Sequence, residues 1–339
     1  MRMTPLSFTM AISHYDHVEP VTTGELAIPG TSPVFFELPI PEMFRRFINH
    51  QEWEASEMSS AQYISRRAAG DDRIIALPVF TSRMFRHSSI IVRRDRIRSA
   101  EELRGARIGT PEWTLSACVW ARGMLSDMYG IAAADITWFQ GGLDRPGRGE
   151  AVKPPALGDD VSLTAVGDRS LEQMIYSGEI DAIMAPQYPP GLRRAAESTD
   201  GLVGRLFDDP VAAEAEYLER TDVFPIMHLL GLRRSFYEQH PWIASNIYRA
   251  FEAAKRRHYA RLVDTRASRA PLPLIGDHLA GLKQRFGADP WPYGLEPNRH
   301  VIETLIRYER EQGLIANDIS PDDLFAPVET FVNETQGSE

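Results

Sequence analysis

The chain has 339 residues, of which 43% are hydrophobic and 25% are charged, so it is long enough to form two domains of ordinary size. Its formal net charge of -10 argues against the nonspecific nucleic-acid binding that clusters of lysine and arginine provide. No stretch approaches the roughly 20 apolar residues that a membrane-spanning helix requires. We therefore expect neither a nucleic acid nor a membrane as partner.

The single cysteine, Cys118, excludes a disulfide framework and a cysteine metal cluster. It falls within a helical pattern over Thr114–Met128, which predicts a buried and inert thiol. At the N-terminus, the strand-like segment Leu6–Ile12 follows directly on Met1–Pro5 and leaves no room for a signal peptide. We therefore expect a cytoplasmic protein. The sequence leaves the oligomeric state open, a homo-oligomer included.

Short apolar runs alternate with helical patterns along the chain, which is typical of an α/β architecture. The predicted strands are, in chain order, Leu6–Ile12, Val34–Leu38, Ile74–Pro78, Ser89–Val92, Ala106–Gly109, Ile136–Phe139, Val161–Ala165, Ala182–Ala185 and Met227–Leu232. The predicted helices are Pro41–His50, Ser99–Leu103, Thr114–Met128, Ser170–Ser177 and a long one that begins near Pro241. A first-turn proline, a capping-box pattern and a terminal glycine support the first, second and fourth of these helices.

A charged run at Arg93–Ser99 marks a change of composition, after which a helix, a glycine turn and a new strand follow. From there to about Leu202 the alternation of strands and helices is self-contained. Beyond it, Val223–Leu232 supplies a further buried strand, and the remaining sequence is mainly helical. This organisation indicates an inserted domain.

A basic run, Ser82–Ser88, follows the apolar stretch Ile74–Phe80 and carries Arg83, Arg86 and His87. Arginine matches a carboxylate with two parallel N–H donors, and histidine transfers a proton near neutral pH. In an acidic chain, such a run predicts a site for a carboxylated small molecule. A solvated basic turn is the alternative that the residue types alone leave open.

Several short motifs occur together in this chain and carry a specific resemblance. They are Glu57–Ser59, Phe85–Ser88, Phe224–His228 and Trp291–Arg299, accompanied by Gly109–Trp113 and Trp138–Gly142. In this combination the chain resembles the 4,5-dihydroxyphthalate decarboxylase family, from Leu6 to about Pro327. The resemblance implies a two-lobed α/β fold like that of the type II periplasmic binding proteins, with the ligand cleft between the lobes. It implies a first lobe of residues 1–95 and 205–339 and an inserted lobe of residues 96–204.

The resemblance also implies a reaction, the decarboxylation of a hydroxylated aromatic acid by protonation of the ring carbon and loss of CO2. The substrate would be 4,5-dihydroxyphthalate or a related hydroxybenzoate, and we expect neither a metal nor an organic cofactor. His228 and His87 are the candidate proton donors, because a general acid works best with a pKa near the operating pH. Glu57 or Asp16 would orient an imidazole or accept a phenolic proton. A hydrogen-bonded core histidine is the alternative for His228.

Ligands of open α/β sheets lie beyond the carboxyl ends of the strands, where helix N-termini present free amides. This rule and the resemblance give the candidate substrate-binding residues His14, Ser59, Ser60, Arg83, Arg86, Trp113, Thr114, Gln187 and Tyr188. The two arginines would hold carboxylates, and Trp113 would stack on an aromatic ring. An N-cap role for a serine and a core role for Trp113 are the alternatives. Gln187 stands where the family usually has an arginine, which favours a related hydroxybenzoate over 4,5-dihydroxyphthalate.

Two other functions stay open at this point. The same fold serves transport systems that capture an aromatic or other small carboxylate without transforming it. An enzyme of the same fold that acts on a nitrogen heterocycle is the third candidate, although such enzymes typically rely on a cysteine-rich segment that this chain lacks. Lys153, Lys255 and Lys283 fall in loops or polar helical segments, which argues against a buried Schiff base.

Overall fold

The computed structural model describes residues 4–147, 157, 160–198, 201–264, 266, 272–273, 275–287 and 289–329. Its strands are β1 (Leu6–Ala11), β2 (Thr31–Phe36), β3 (Ala55–Ser59), β4 (Ile74–Arg83), β5 (Ile90–Arg93), β6 (Arg107–Thr110), β7 (Thr137–Gln140), β8 (Leu163–Ala165), β9 (Ala182–Met184), β10 (Val203–Arg205) and β11 (Ile226–Arg233). Its helices are α1 (Glu19–Thr22), α2 (Ile40–His50), α3 (Ser60–Ala68), α4 (Ser116–Tyr129), α5 (Leu171–Ser177), α6 (Pro190–Glu197), α7 (Pro210–Thr221), α8 (Arg234–Gln239), α9 (Trp242–Leu262), α10 (Ile275–Phe286) and α11 (Arg299–Glu311). No helix in these ranges has the length and apolar character needed to cross a membrane.

The first sheet has the strand order β2-β1-β3-β11-β4. Strands β1, β2 and β3 are parallel, whereas β11 runs antiparallel to both β3 and β4. The carboxyl ends of β1, β3 and β4 and the beginning of β11 therefore lie together, at the same end of the strands. The loop after β1, the N-terminus of α3 and the loop after β4 all lie at this end, where ligands of open α/β sheets bind.

The second sheet has the order β10-β5-β9-β6-β7-β8. Strands β6, β7, β8 and β9 are parallel, and β5 is antiparallel to both β9 and β10. The chain enters this sheet after β4 and leaves it after β10, so it crosses between the two sheets twice. The predicted α/β class is confirmed, and the lobe boundaries at residues 95 and 204 stay a prediction.

Several elements differ from the sequence-based expectation. The helix predicted at Ser99–Leu103 is a single 3-10 turn at Glu101–Leu103, and the carboxylate of Glu102 accepts the backbone N–H of Arg98 instead of capping a helix. Strand β4 continues past Pro78 to Arg83, because β11 pairs with both of its ends, Ile74–Leu77 and Ser82–Arg83. Strand β10, which is three residues long, and helix α7 were not predicted, although Asp209 caps α7 and a proline follows it.

Helix α4 joins the two lobes. On one side Cys118 contacts the carbonyl of Met184 in the second sheet, with 3.6 Å between Sγ and the oxygen. On the other side Gln312, which follows α11, donates to the carbonyl of Val119 at 2.9 Å, and Trp120 donates to a carbonyl of β11. One hydrophobic core therefore runs through α4 from the first lobe into the second. The prediction that the thiol of Cys118 is buried is confirmed.

Gly123 of α4 allows this close approach of the helices. A Cβ atom built on Gly123 would lie 2.1 Å from the buried ring of Tyr308 in α11. We expect Gly123→Ala to lower the free energy of unfolding by about 1–3 kcal/mol through overpacking, measured by urea denaturation. Gly281→Ala in α10 is the control, because nothing lies within 4 Å of its Cβ position. Equal stability of the two variants would contradict the packing of α4 on α11.

Candidate active site

A buried carboxylate, that of Glu57 in β3, accepts four hydrogen bonds. The donors are the backbone N–H of Ser13 (2.9 Å), the hydroxyl groups of Tyr15 (2.6 Å) and Thr81 (3.2 Å), and Nδ1 of His228 (2.7 Å). Burial alone would raise the pKa of Glu57, but the hydrogen bonds, led by that of His228, hold this pKa below its usual value. Glu57 is therefore a fixed negative charge at neutral pH.

His228 in β11 lies on this carboxylate with one ring nitrogen occupied. Because a carboxylate only accepts, Nδ1 carries a proton toward Glu57, and the hydroxyl oxygen of Tyr15 lies 3.3 Å from the same nitrogen. The ring of Phe44 packs edge-on against the imidazole, with 4.8 Å between the ring centroids. The side chain of His228 is 15% exposed. Its second nitrogen, Nε2, has no hydrogen-bond partner among the described residues and is available to a ligand.

An irregularity in β4 brings further hydroxyl groups to the pair. His228 of β11 pairs with Ser82 of β4, whereas Leu230 pairs with Leu77. The residues of β4 between Leu77 and Ser82 are therefore left out of the ladder. Such bulges redirect side chains and are common beside active sites. Thr81 thereby donates to Glu57, and Ser82 lies within interaction distance of the Tyr15 hydroxyl.

Tyr15 completes the cluster from the loop that follows β1. Burial, followed by the charge of Glu57, raises the pKa of Tyr15, so the phenol stays protonated and donates to the carboxylate. The sequence-based candidates in the segment His14–His17 were His14 and Asp16, and Tyr15 between them was missed. The strand-end position that drew attention to the segment applies equally to Tyr15, and this was the signal that pointed to it.

Arg86 lies on the other side of the first residues of β11. Its Nε atom contacts Sδ of Met227 at 3.1 Å, and a terminal N–H donates to the carbonyl of Pro186, which follows β9, at 3.4 Å. Arg86 is 8% exposed, and within the described part of the chain no carboxylate pairs with it. Burial lowers the pKa of Arg86 to about 10, so the guanidinium is still charged at pH 7. A buried cation without an anionic partner is suited to a carboxylate ligand.

The other candidates in the loop after β1 lie apart from this cluster. His14 and Asp16 are exposed. The charge of Asp16 acts on His17 and His258, and within the described residues neither His14 nor Asp16 is hydrogen-bonded to Glu57 or His228. Of the four residues proposed for catalysis, the structure therefore joins only Glu57 and His228.

Arg83 ties the end of β4 to the C-terminal part of the chain. Its guanidinium donates to the carbonyls of Phe224 (3.2 Å) and Pro292 (2.9 Å) and to the side chain of Asn298. Burial lowers the pKa of Arg83 to about 10. Because these protein oxygens occupy both terminal nitrogens of Arg83, and only its buried Nε lacks a partner in the described residues, the arrangement favours a structural role over that of a carboxylate clamp.

His87 is 2% exposed and lies in an aromatic environment. Its ring packs against those of Phe207 and Tyr217, with centroid distances of 5.3 and 5.7 Å. Burial lowers the pKa of His87 to about 4, so the imidazole is neutral at pH 7. Among the described residues no hydrogen bond joins His87 to Glu57, and its buried Nδ1 has no partner, so the structure does not bring this histidine into the Glu57–His228 pair.

Ser59, Ser60 and Thr114 lie in the contact between the lobes. The hydroxyl of Ser59 caps α3 by accepting the N–H of Gln62 at 3.4 Å, and it lies 2.7 Å from that of Ser116 in α4. Ser60 donates to Ser116 at 3.1 Å, and Thr114 accepts from the side chain of Gln62 at 3.2 Å. The N-cap alternative therefore describes Ser59, and these hydroxyl groups join α3 to the second lobe.

Trp113 is fully buried, and the guanidinium carbon of Arg122 lies 3.7 Å from its ring centre. The core alternative therefore describes this tryptophan. Tyr188 donates its hydroxyl to the carbonyl of Ser89 at 2.5 Å and packs in the core of the second lobe. Gln187 is exposed in the loop that follows β9.

Lys255 is not in a polar helical segment, so that expectation was wrong. It is 1% exposed in α9, and its ammonium pairs with Glu252 (3.0 Å) and Asp289 (2.5 Å) and donates to the carbonyl of Trp291 (2.8 Å). These three acceptors keep it from acting as a free amine. Lys153 lies outside the described residues.

Within the described ranges, no group of three or more histidine, cysteine or acidic side chains is placed to hold a metal ion.

An open depression of about 410 Å³ lies elsewhere, on the second lobe. Its lining includes Arg107, Arg169 and Phe139. Both arginines are paired, Arg107 with Asp181 and Arg169 with Glu179. The depression therefore lacks the unpaired cation that Arg86 provides between the lobes.

Solved structures define the class of this fold. The chain is similar to the periplasmic aliphatic sulphonate binding protein of Escherichia coli, with a TM-score of 0.53 and 13% identity over 99% of this chain and 97% of that one. A solved protein of Bordetella bronchiseptica gives a TM-score of 0.51 and 15% identity over 94% of each chain. The fold is therefore that of the two-lobed periplasmic binding proteins, as the resemblance implied.

Sequence relatives define the family. The chain is 39% identical, over 327 residues, to the 4,5-dihydroxyphthalate decarboxylase of Comamonas testosteroni, which covers 96% of this chain and 98% of that protein. It is 36% identical, over 216 residues, to a Pseudomonas putida protein of the same name, which covers 63% and 82%. No protein-family model matches the chain. The chain belongs to the 4,5-dihydroxyphthalate decarboxylase family, which confirms the resemblance.

Proposed function

We propose that this protein decarboxylates a hydroxylated aromatic carboxylic acid, 4,5-dihydroxyphthalate or a related hydroxybenzoate. Membership of the family makes it a carboxy-lyase, as the sequence predicted. The observation that carries the assignment of the site is the Glu57–His228 pair, with 2.7 Å between Oε1 and Nδ1 at the ligand-binding end of the first sheet. The substrate class is accordingly a small aromatic carboxylate.

His228 is the proposed proton donor. Decarboxylation requires a proton on the ring carbon that carries the carboxylate, and a hydroxyl group ortho or para to that carbon supplies the electron density. The proton passes from Nε2 of His228 to this carbon as the new C–H bond forms. The C–C bond to the carboxylate then breaks, its electron pair returns to the ring, and CO2 leaves. His228 regains its proton from water.

Glu57 supports this step in two ways. Its negative charge stabilises the imidazolium from which the proton is taken, and its bond to Nδ1 fixes the direction of Nε2. The other donors to Glu57 prevent the carboxylate from rotating. A buried carboxylate with these partners is suited to orient the imidazole of His228. It is not suited to transfer the proton to the substrate itself.

Arg86 is proposed to bind a carboxylate of the substrate. In a chain with a net charge of -10, an anionic ligand needs a local positive group, and Arg86 is buried between the lobes without an anionic partner in the described chain. Two consecutive residues of β11 contact the proposed carboxylate-binding and proton-donating groups: Met227 contacts Arg86, and His228 contacts Glu57. The ring of the substrate would lie at the beginning of this strand.

Release of CO2 from a matched panel of acids tests the proposal. We expect the purified protein to convert 4,5-dihydroxyphthalate or dihydroxybenzoates, and to leave phthalate and benzoate unchanged because they lack the activating hydroxyl groups. The measurement is CO2 by membrane-inlet mass spectrometry together with the ring protons of the product by NMR. Tight binding of the panel in a calorimeter without any CO2 would favour a transport receptor instead.

A further inference from the structure

The segment formed by residues 289–298, here called the C-terminal strap, runs along the side of β4 that faces away from β11. The backbone N–H of Gly294 donates to the carbonyl of Pro78 at 2.8 Å, and the indole N–H of Trp291 donates to the carbonyl of Phe80 at 2.7 Å. Because β4 is the edge strand of the first sheet, these bonds occupy acceptors that would otherwise lack a partner strand. The strap is thereby fixed to the stretch of β4 that contains the bulge.

Trp291 is the most constrained residue of the strap. Its backbone N–H donates to Asp289 at 3.0 Å, and its carbonyl accepts from the buried ammonium of Lys255 at 2.8 Å. The ring of Phe224 packs edge-on against its indole, with 5.5 Å between the centroids. The position of the indole is therefore set by the strap, α9 and β4 together.

His17 lies between Trp291 and Tyr15 of the active site. Its ring lies 5.6 Å from that of Trp291 and 5.4 Å from that of Tyr15, measured between centroids. Nε2 of His17 is buried and has no hydrogen-bond partner in the described ranges. Burial lowers the pKa of His17 to about 4, so the ring is a neutral aromatic wedge at pH 7. The proposed reaction uses neither nitrogen of this histidine.

We propose that His17 and Trp291 are positioning residues, which hold the ring of Tyr15 so that its hydroxyl stays on Glu57 and beside Nδ1 of His228. The carbonyl of Tyr15 accepts the N–H groups of Val18 (3.0 Å) and Glu19 (2.9 Å), which holds its backbone, so the contacts of its ring decide where the hydroxyl lies. If its ring moves, Glu57 loses a donor and the direction of His228 is no longer unique. This inference rests on the proposed function, because it concerns the same site.

A double-mutant cycle separates positioning from simple packing. We expect His17→Ala to lower kcat about tenfold with little change in KM, and His17→Phe, which keeps an aromatic wedge, to stay within about threefold of the wild type. In the Tyr15→Phe background, His17→Ala should cost less than about twofold, because the hydroxyl that it positions is already absent. Equal losses from His17→Ala in both backgrounds would overturn the inference.

The NMR signal of the His228 Nδ1–H group gives a readout that needs no activity. We expect His17→Ala and Trp291→Leu to shift or broaden this signal. Phe236→Ala, which removes a buried ring that packs on Phe8 and His240, should leave it unchanged. An unchanged signal in His17→Ala would refute the positioning role. If the wild type released no CO2 while the signal moved as expected, the proposed function alone would fail.

Discussion

His228→Asn is expected to lower kcat for CO2 release by about three orders of magnitude, the loss typical of removing a general acid. Asparagine keeps an amide N–H that reaches Glu57 but has no group that delivers a proton at neutral pH. Substrate affinity should change by less than about tenfold, because the imidazole acts mainly in the transition state. Steady-state kinetics and calorimetric binding measure the two quantities separately.

The same substitution at another histidine is the control for this loss. His240 follows α8 and packs against Phe236 and Trp242. We expect His240→Asn to keep kcat within about twofold of the wild type, as is usual for a substitution away from the site. If His228→Asn retained a tenth or more of the activity, the proton would have to come from another group.

Arg86→Gln is expected to weaken substrate binding about a hundredfold, because a charge-assisted, bidentate contact with the carboxylate is lost. Arg86→Lys keeps the charge but not the planar pair of donors, and we expect its substrate affinity to lie between those of the wild type and Arg86→Gln. The same Arg86→Gln variant should unfold at an equal or higher urea concentration, since a buried charge without an anionic partner opposes folding.

Arg220→Gln on the surface of α7 is the control for the binding measurement. Among the described residues, the one ion pair of Arg220 is with Glu216 one turn away, at 3.4 Å, and both side chains are more than half exposed. We expect no change in affinity from its removal. Wild-type affinity in Arg86→Gln would show that another group binds the carboxylate.

The fold was largely predictable because its signals are local. Alternating apolar runs and helix caps indicated most strands of both sheets and the helices α2, α4, α5 and α9. The missed strand β10 has only three residues, too few for a periodic pattern. The short helix expected at Ser99–Leu103 failed for the opposite reason, because its capping pattern was present without the apolar face that stabilises a helix.

The site was only partly predictable because its contacts are long-range. Glu57 and His228 are 171 positions apart, and they meet because β11 inserts antiparallel between β3 and β4. Local patterns carry no information on this insertion. The two arginines of the basic run illustrate the same limit. Arg83 is the last residue of β4 and is covered by the strap, whereas Arg86 lies in the crossing between the lobes. Their roles depend on where the strand ends.

A crystal structure of His228→Asn with 4,5-dihydroxyphthalate tests the location of the site most directly. We expect the aromatic ring at the beginning of β11, with a carboxylate on the guanidinium of Arg86 and the reacting carbon next to residue 228. A ligand in the depression of the second lobe lined by Arg107 and Arg169, with Arg86 bound only to Met227 and Pro186, would contradict the assignment.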